Sequence, residues 1–176
     1  PVVGKKEVMR HHEMTWLKID RYYYGDVDNP SVAYQPMMCQ HCAHPPCVDV
    51  CPTGASYKRD DGIVMVDKHT CIGCRYCMMA CPYKARSFIH ETLTDQVPDV
   101  PRGKGTVESC TLCVHRVDRG EKPACEVACQ EAEKGAILFG NLNDPSSDIA
   151  KRVAAEASTQ VRGDLQLDPG VRYQGV

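Results

Sequence analysis

The chain has 176 residues, with 21 Lys and Arg against 23 Asp and Glu and a formal net charge of −2 at pH 7. This balance, without a run of basic residues, excludes an electrostatic nucleic-acid surface, so no nucleic-acid partner is expected. No apolar stretch approaches the length of a membrane-spanning helix, about 18 residues, and the 12 cysteines dominate the composition.

The stretch before the first cysteine predicts one strand. TWLKIDRYYYG, residues 15–25, is rich in aromatic and β-branched residues and ends at a glycine. DVDNPS, residues 26–31, is rich in turn-forming residues and predicts a turn. The three tyrosines at 22–24 indicate either a partner surface or side chains on alternate faces of the strand.

The cysteines form three groups of four, with short predicted strands between and after them. Residues 56–59 and 63–67 predict two strands joined by a tight Asp-Asp-Gly turn. AILFG, residues 136–140, predicts a further strand after the third group. This recurrence of cysteine loop, short helix and strand is a crude internal repeat.

The remaining segments predict a surface insertion, a helix and an extended tail. Residues 88–108 contain two prolines and no clear period, which favours an insertion at the surface. Residues 143–158 predict a helix with Asp144 as N-cap and Pro145 at its first position. The final DLQLDPGVRYQGV is expected to be extended, and either to dock on the other segments or to be loose.

Three chemistries compete for so many cysteines. A disulfide framework suits a short secreted scaffold, whereas this chain is long and its CxxC pairs are poor disulfide geometry. Structural zinc requires two CxxC pairs for each site, often with histidine. Iron–sulfur clusters require quartets of thiolates, three of them in one tight loop. The observed spacing favours iron–sulfur clusters.

The second group, CIGCRYCMMACP at residues 71–82, has the spacing of ferredoxins that hold two clusters. In such ferredoxins the fourth cysteine ligates the other cluster. The first group, CQHCAHPPCVDVCP at residues 39–52, also ends in Cys-Pro, although its second gap has four residues instead of two. The two groups therefore predict two interlocked 4Fe–4S clusters. One is ligated by Cys39, Cys42, Cys47 and Cys81, and the other by Cys71, Cys74, Cys77 and Cys51.

The third group consists of Cys110, Cys113, Cys125 and Cys129, with eleven residues between its second and third members. Gln130 stands where the other groups have proline. Taken alone, the group fits the four ligands of one cluster or a zinc ribbon-like site. In the first two groups, the fourth cysteine is expected to ligate the cluster of the neighbouring group. By the same pattern, Cys129 ligates a cluster whose other three ligands lie elsewhere. The sequence contains no fourth cysteine group to supply those three ligands.

These motifs, together with DGIVMVDKHT before the second group and ILFGNLNDPSSDI after the third, closely resemble the four-cluster ferredoxin subunits of complex iron–sulfur molybdoenzyme-type assemblies. VPRGKGTVESCTLC and the VRYQGV ending look like the iron–sulfur subunit of the Dsr membrane complex. PVVGKKEV and TWLKIDRYYYGD look like the iron–sulfur region of alternative complex III. The resemblance covers most of residues 36–145.

Members of this family usually have a further cysteine group upstream. The resemblance therefore implies that Cys110, Cys113 and Cys125 hold one cluster whose fourth ligand lies upstream, and that Cys129 serves an upstream cluster. If Pro1 is the true start, the third group closes on itself around one cluster. Three clusters are then expected in this chain, and a 3Fe–4S centre is the alternative for an incomplete ligand set.

The resemblance also implies fold and function. The fold is expected to be α+β, ferredoxin-like and loop-rich, with cluster-binding repeats about a pseudo-twofold axis. We expect an N-terminal strand and linker at 1–35, a poly-cluster domain at 36–142, and a helix with an extended tail at 143–176. With no nucleophile–base pair or phosphate-binding loop, the protein is expected to relay single electrons and not to catalyse a reaction of its own.

The partners implied by the resemblance are an NrfD-like, polysulfide-reductase-type integral membrane subunit that binds quinol, and haem or molybdopterin-type redox subunits, in a hetero-oligomer. It implies a peripheral position on the extracytoplasmic, periplasmic face of the membrane after twin-arginine export, although no signal is visible. The rival functions are a zinc-stapled interaction module and a free-standing soluble polyferredoxin. Histidines 41, 44, 69 and 115 are expected near the clusters but not as ligands, and Met78 and Met79 are expected to pack against a cluster.

Overall fold

The computed structural model describes residues 15–90, 92, 94, 98, 102–132 and 135–175. The strands in this part of the protein form three two-stranded antiparallel sheets. Their bounds are β1 Leu17–Asp26 with β2 Asn29–Met38, β3 Ser56–Lys58 with β4 Val64–Val66, and β5 Ser87–Phe88 with β6 Val107–Glu108. The helices are α1 Pro46–Asp49, α2 Tyr76–Ala80, α3 Val114–Val117, α4 Ala124–Glu131 and α5 Asp148–Ala155, with a 3-10 turn at Gly163–Leu165. The predicted α+β, loop-rich organisation is confirmed, while the pseudo-twofold repeat stays a prediction.

The first sheet is a long hairpin that contains the predicted strand. The pairing runs from Leu17↔Met38 to Asp26↔Asn29 and leaves only Val27 and Asp28 in the turn. The turn-rich segment is thus shorter than predicted, because β2 begins at Asn29. Three consecutive tyrosines, at 22–24, are at least half exposed, which leaves most of the hairpin outside the core.

Two short hairpins hold the cysteine loops together. The pairing of β3 with β4 confirms the predicted strand–turn–strand segment between the first two cysteine groups. The pairing of β5 with β6 joins the two ends of the segment predicted to be a surface insertion. That prediction is wrong for the ends, because Ile89 is fully buried and Val107 and Glu108 are 1% exposed. Residues 91, 93, 95–97 and 99–101 lie outside the described residues.

The buried core is small and consists partly of cysteines. One buried cluster contains Met37, Cys42, Tyr83 and Tyr173, and a second contains Cys47, Val64, Cys77 and Val107. Thiol side chains thus occupy positions that Leu, Ile or Phe fill in most cores of this size. The packing of this fold therefore depends on what the cysteines hold.

The C-terminal tail is docked on the loop of the first cysteine group. Gly170 donates its backbone N–H to the carbonyl of Gln40 at 2.8 Å, and Ala43 donates to the carbonyl of Asp168 at 2.9 Å. Tyr173 is 8% exposed and forms an isolated bridge with Thr159. Of the two expectations for the tail, docking is the one that the structure supports. The expected boundary at residue 143 stays a prediction.

Two local predictions are corrected. Residues 136–140 form no strand, because no neighbouring segment pairs with them among the described residues. The C-terminal helix begins at Asp148, and its N-cap is Ser147, whose hydroxyl accepts a hydrogen bond from Ala150 N. Asp144, the predicted cap, instead accepts hydrogen bonds from the backbone and hydroxyl of Ser146. Over the ranges that the structure describes, no helix combines the length and apolar character needed to cross a bilayer.

Candidate metal centre

The first cavity is lined by the cysteines predicted for one cluster: Cys39, Cys42, Cys47 and Cys81. The first two follow β2 directly, the third lies in α1, and the fourth follows α2 from the other cysteine group. The side chains of Tyr83 and Arg86 complete the wall. The structure thus brings together three cysteines from one group and one from the next.

The second cavity is lined by the cysteines predicted for the other cluster: Cys51, Cys71, Cys74 and Cys77. Three come from the loop before α2 and from α2 itself, and Cys51 comes from the end of the first group. Ile72 and Arg75 lie on the open side of this cavity, where both are exposed. Cys74 is exposed as well, so the second cavity lies at the surface.

The four thiols of each cavity are not arranged as a zinc site is. Each cavity is lined by four cysteines. A single zinc ion requires four thiolate sulfurs that converge to about 2.3 Å from the metal. Within the described ranges, no group of three or more His, Cys, Asp or Glu side chains is placed to hold a single ion. Four thiols around a cavity fit a cubane cluster.

Left-handed backbone conformations turn the cysteine loops inward. In the second group, Gly73 has φ +72°, and a Cβ built on it would lie 2.2 Å from the carbonyl oxygen of Gly105. Arg75 has φ 65°, immediately before α2. Only glycine fits at 73, because the backbone of the segment before β6 passes directly over it. The close approach holds the loop of the second cavity against β5 and β6.

Burial raises the pKa of three thiols in the first cavity, Cys39, Cys42 and Cys47. It raises the pKa of Cys39 to about 12 and that of Cys42 to about 11. The pKa of Cys47 and of Cys77 is also raised, first by burial and against the opposing charge of Arg86. Binding a cluster at these thiols would therefore release protons, because cysteine ligates iron as the thiolate.

The sulfur of Cys51 lies in a different environment. Burial raises the pKa of this thiol, but hydrogen bonds from the backbone N–H of Ser56, at 3.3 Å, and from Thr53 outweigh it, so the net shift is downward. Such N–H···S bonds stabilise a ligating thiolate and raise the reduction potential of its cluster. The second cavity thus contains one cysteine whose sulfur accepts a backbone hydrogen bond, which favours its thiolate form.

The two cavities are immediate neighbours, and the third group adjoins the first. Cys47 of the first cavity interacts electrostatically with Cys77 of the second. On the other side, Cys39 interacts with Cys110 of the third group. The first cavity therefore adjoins both the second cavity and the third group.

In the third group, the first three cysteines lie together and the fourth lies one helical turn further on. Cys110, Cys113 and Cys125 interact electrostatically with one another, and burial raises the pKa of Cys110 to about 11. Backbone N–H groups donate to three of the sulfurs, including Ala136 N to Cys129 at 3.2 Å. Cys129 follows Cys125 in α4. Both ligand arrangements considered for this group stay predictions.

Histidines and methionines near the cysteines take different positions. His41 is buried, and its Nδ1 accepts the backbone N–H of Val64 at 3.0 Å; burial, reinforced by Arg86, lowers its pKa to about 4. The ring is therefore neutral, with its proton on Nε2. Met78 packs against the buried residues Cys47 and Cys77, and its contact with an iron–sulfur cluster stays a prediction. The prediction is wrong for Met79, whose side chain is 73% exposed.

Sequence reasoning missed the role of Arg86. Its side chain is buried in the wall of the first cavity, while Arg75 and Lys84, the other basic residues in and after the second group, are exposed. The signal in the sequence was weak, because one basic residue after a Cys-Pro turn is ordinary. Only the packing places it against both cavities.

The comparisons with known proteins agree with this geometry. The family described as "4Fe-4S dicluster domain" matches residues 30–141. The match contains all three cysteine groups and both cavities. It confirms the predicted 4Fe–4S cofactor, and leaves the number of clusters and their individual ligands as predictions.

Several curated proteins are similar over most of the sequence. An Hdr-like menaquinol oxidoreductase iron-sulfur subunit 1 from Archaeoglobus fulgidus is 48% identical over 90% of this chain and 63% of its own. A tetrathionate reductase subunit from Salmonella typhimurium is 46% identical, over 80% and 51%. A polysulfide reductase component from Wolinella succinogenes is 39% identical, over 79% and 65%. This chain thus spans between half and two thirds of the length of these relatives.

Proposed function

Because this protein belongs to the 4Fe–4S dicluster domain family, we propose that it relays single electrons through its clusters between the redox subunits of a respiratory complex. The observation that carries the proposal is the packing between the cavities, where Cys47 and Cys77 belong to the same buried cluster of side chains. Clusters held in adjoining cavities are close enough to exchange electrons. Each cluster gains or loses one electron at a reduction potential that is set by its charge, its burial and its hydrogen bonds.

The ligand sets that we propose follow the cavity walls. Cys39, Cys42, Cys47 and Cys81 hold one cluster, and Cys51, Cys71, Cys74 and Cys77 hold the second. What supports this is that each cavity is lined by one predicted quartet and by no cysteine of the other. A third cluster uses Cys110, Cys113 and Cys125, with Cys129 or an upstream residue as its fourth ligand. A 3Fe–4S centre is the form expected if that fourth ligand is missing.

The partners that we propose are a quinol-binding, NrfD-like integral membrane subunit and a haem or molybdopterin-type subunit, on the periplasmic face of the membrane. The relatives support this assignment, since they carry the names of menaquinol oxidoreductase, tetrathionate reductase and polysulfide reductase components. In this arrangement the chemistry on quinol and on the terminal substrate belongs to the partners, and this protein is not itself an enzyme.

The decisive experiment is anaerobic purification followed by iron, sulfide and zinc analysis and by EPR of the reduced protein. We expect iron and acid-labile sulfide in equal amounts, at four iron atoms for each cluster. Magnetic coupling between reduced clusters is expected, because the first two cavities adjoin. A colourless protein that contains zinc, or isolated EPR signals without coupling, would contradict the proposal. Co-purification with an integral membrane subunit tests the partners separately.

A further inference from the structure

Arg86 is a buried cation for which the described residues provide no oxygen or nitrogen acceptor. Arg86 is 5% exposed, and none of its three guanidinium nitrogens donates a hydrogen bond to an oxygen or nitrogen atom in the described part of the protein. A buried guanidinium without an anionic partner is strongly unfavourable. The fold therefore places this charge opposite an anion that is not one of its own carboxylates.

The carboxylates that are buried in the described ranges are already paired. Glu108 binds Arg102 and Lys68. Glu126 binds Lys122 at 2.7 Å. Neither is directed at the guanidinium of Arg86. The groups that its charge acts on are thiols: Cys47, Cys77 and Cys39, in decreasing order.

These thiols belong to two different cavities. Cys39 and Cys47 line the first cavity, and Cys77 lines the second. A turn after α2, in which Lys84 N donates to the carbonyl of Cys81 at 3.2 Å and Lys84 has φ 50°, places Arg86 there. The guanidinium has N–H groups pointing in several directions in one plane, so it is suited to reach sulfur atoms on both sides.

We propose that Arg86 is the shared cationic partner of the two clusters, donating N–H groups to sulfur atoms of both and holding both reduction potentials above the values they would otherwise have. The inference rests on the ligand sets proposed above. A cluster ligated by four thiolates is an anion and becomes more negative when reduced. A fixed positive charge beside it therefore favours the reduced form, and one charge between two clusters favours reduction of both.

The test is a potentiometric titration, monitored by EPR, of the wild-type protein and of Arg86→Met, Arg86→Gln and Arg86→Lys. Lys84→Met is the matched control, since it removes a positive charge two residues away at the surface. We expect Arg86→Met and Arg86→Gln to lower the equilibrium constant for reduction at least tenfold at both clusters, about 59 mV for a one-electron couple. Arg86→Lys is expected to keep part of the effect, and Lys84→Met to change neither potential.

Every outcome bears on the proposal. Unchanged potentials, a shift at one cluster only, or an equal shift in Lys84→Met would overturn it. If Arg86→Met and Arg86→Gln fail to bind iron while Arg86→Lys binds it normally, the requirement for a shared cation is supported. Loss of iron from all three variants would assign Arg86 to packing alone. A wild-type protein without iron and sulfide would overturn the proposed function itself, which separates the two failures.

Discussion

The hydroxyl of Tyr173 donates a hydrogen bond to the carbonyl of Pro36 at 2.7 Å and accepts one from Gln40 Nε2 at 3.2 Å. It thereby joins the tail to the last residues of β2 and to the start of the first cysteine loop. The contact spans 137 residues of sequence. The tail therefore packs against the loop that carries the first cysteines of the first cavity.

Replacing Tyr173 with Phe removes this hydroxyl, so the half-buried carbonyl of Pro36 loses this donor and the buried Gln40 amide keeps only its bond to the carbonyl of Met38. We expect the free energy of unfolding to fall by about 1–3 kcal/mol, because an unsatisfied buried group costs its desolvation. Denaturant unfolding of the cluster-loaded protein measures the change. Tyr23→Phe, at a side chain that is 71% exposed, is the control and should leave stability unchanged. Equal stability of Tyr173→Phe and wild type would contradict the assigned contact.

Exchange of ligands between the two groups predicts crossed effects of single cysteine variants. Cys81→Ala should disturb the cluster held by Cys39, Cys42 and Cys47, although Cys81 belongs to the second group in sequence. Cys51→Ala should disturb the cluster held by the second group. EPR of the reduced variants shows which cluster's signal changes. We expect the cluster that has lost a cysteine ligand to be converted to a three-iron form. Effects confined to the cluster of the same sequence group would refute the exchange.

The buried carboxylate of Glu108 predicts a large stability effect. It is 1% exposed, and Arg102 Nε donates to it at 2.9 Å, with Lys68 Nζ at 3.4 Å. Glu108→Gln removes the buried negative charge that Arg102 and Lys68 bind, and breaking such a buried ion pair costs about 3–5 kcal/mol. The midpoint of thermal unfolding should fall markedly. Glu121→Gln, whose side chain is 48% exposed beside Arg116, should have little effect, and similar losses from both would contradict the argument.

Gly73→Ala is expected to open the second cavity. The added methyl group would lie 2.2 Å from the carbonyl oxygen of Gly105, so the two segments must move apart. Gly54→Ala is a matched control, since Gly54 has a similar φ of +68° and open space around it. In both variants, alanine in the left-handed conformation lowers the free energy of unfolding by about 1–2 kcal/mol. Only Gly73→Ala should also lose the cluster from the second cavity. Iron content and EPR distinguish them, and equal losses would assign the effect to backbone strain.

Removal of the clusters should unfold much of the protein. Each of the two groups of buried core residues contains cysteines. Few other apolar side chains are available to hold the core together once the iron–sulfur clusters are removed. We expect chelation under reducing, anaerobic conditions to abolish cooperative unfolding, and iron with sulfide to restore it. Circular dichroism before and after chelation is the measurement. A chelated protein that retains its spectrum and a sharp thermal transition would show that the polypeptide alone specifies the fold.

Local patterns predicted the first strand and the β3–β4 hairpin, because each depends on residues close together in sequence. The quartets that line the two cavities combine separate cysteine groups, and they were predicted from the exchange of the fourth cysteine in ferredoxins with two clusters. Packing over long distances decided the rest. The strand expected at 136–140 finds no pairing partner among the described residues, and Ser147 caps the helix because Asp144 is occupied by its own turn. The burial of Arg86 depends on three cysteines from separate segments. No periodicity or spacing in the sequence predicts which distant residues surround the side chain of Arg86.

The docking of Tyr173 and of its neighbours on the first cysteine loop also bears on when the protein can mature. Cys39 leaves the ribosome more than a hundred residues before the segment that covers its loop. Until residues 167–173 have been synthesised, the first cysteine loop lacks the segment that packs against it. The loop therefore acquires its full set of contacts only late in synthesis, long after its own cysteines have been added to the chain.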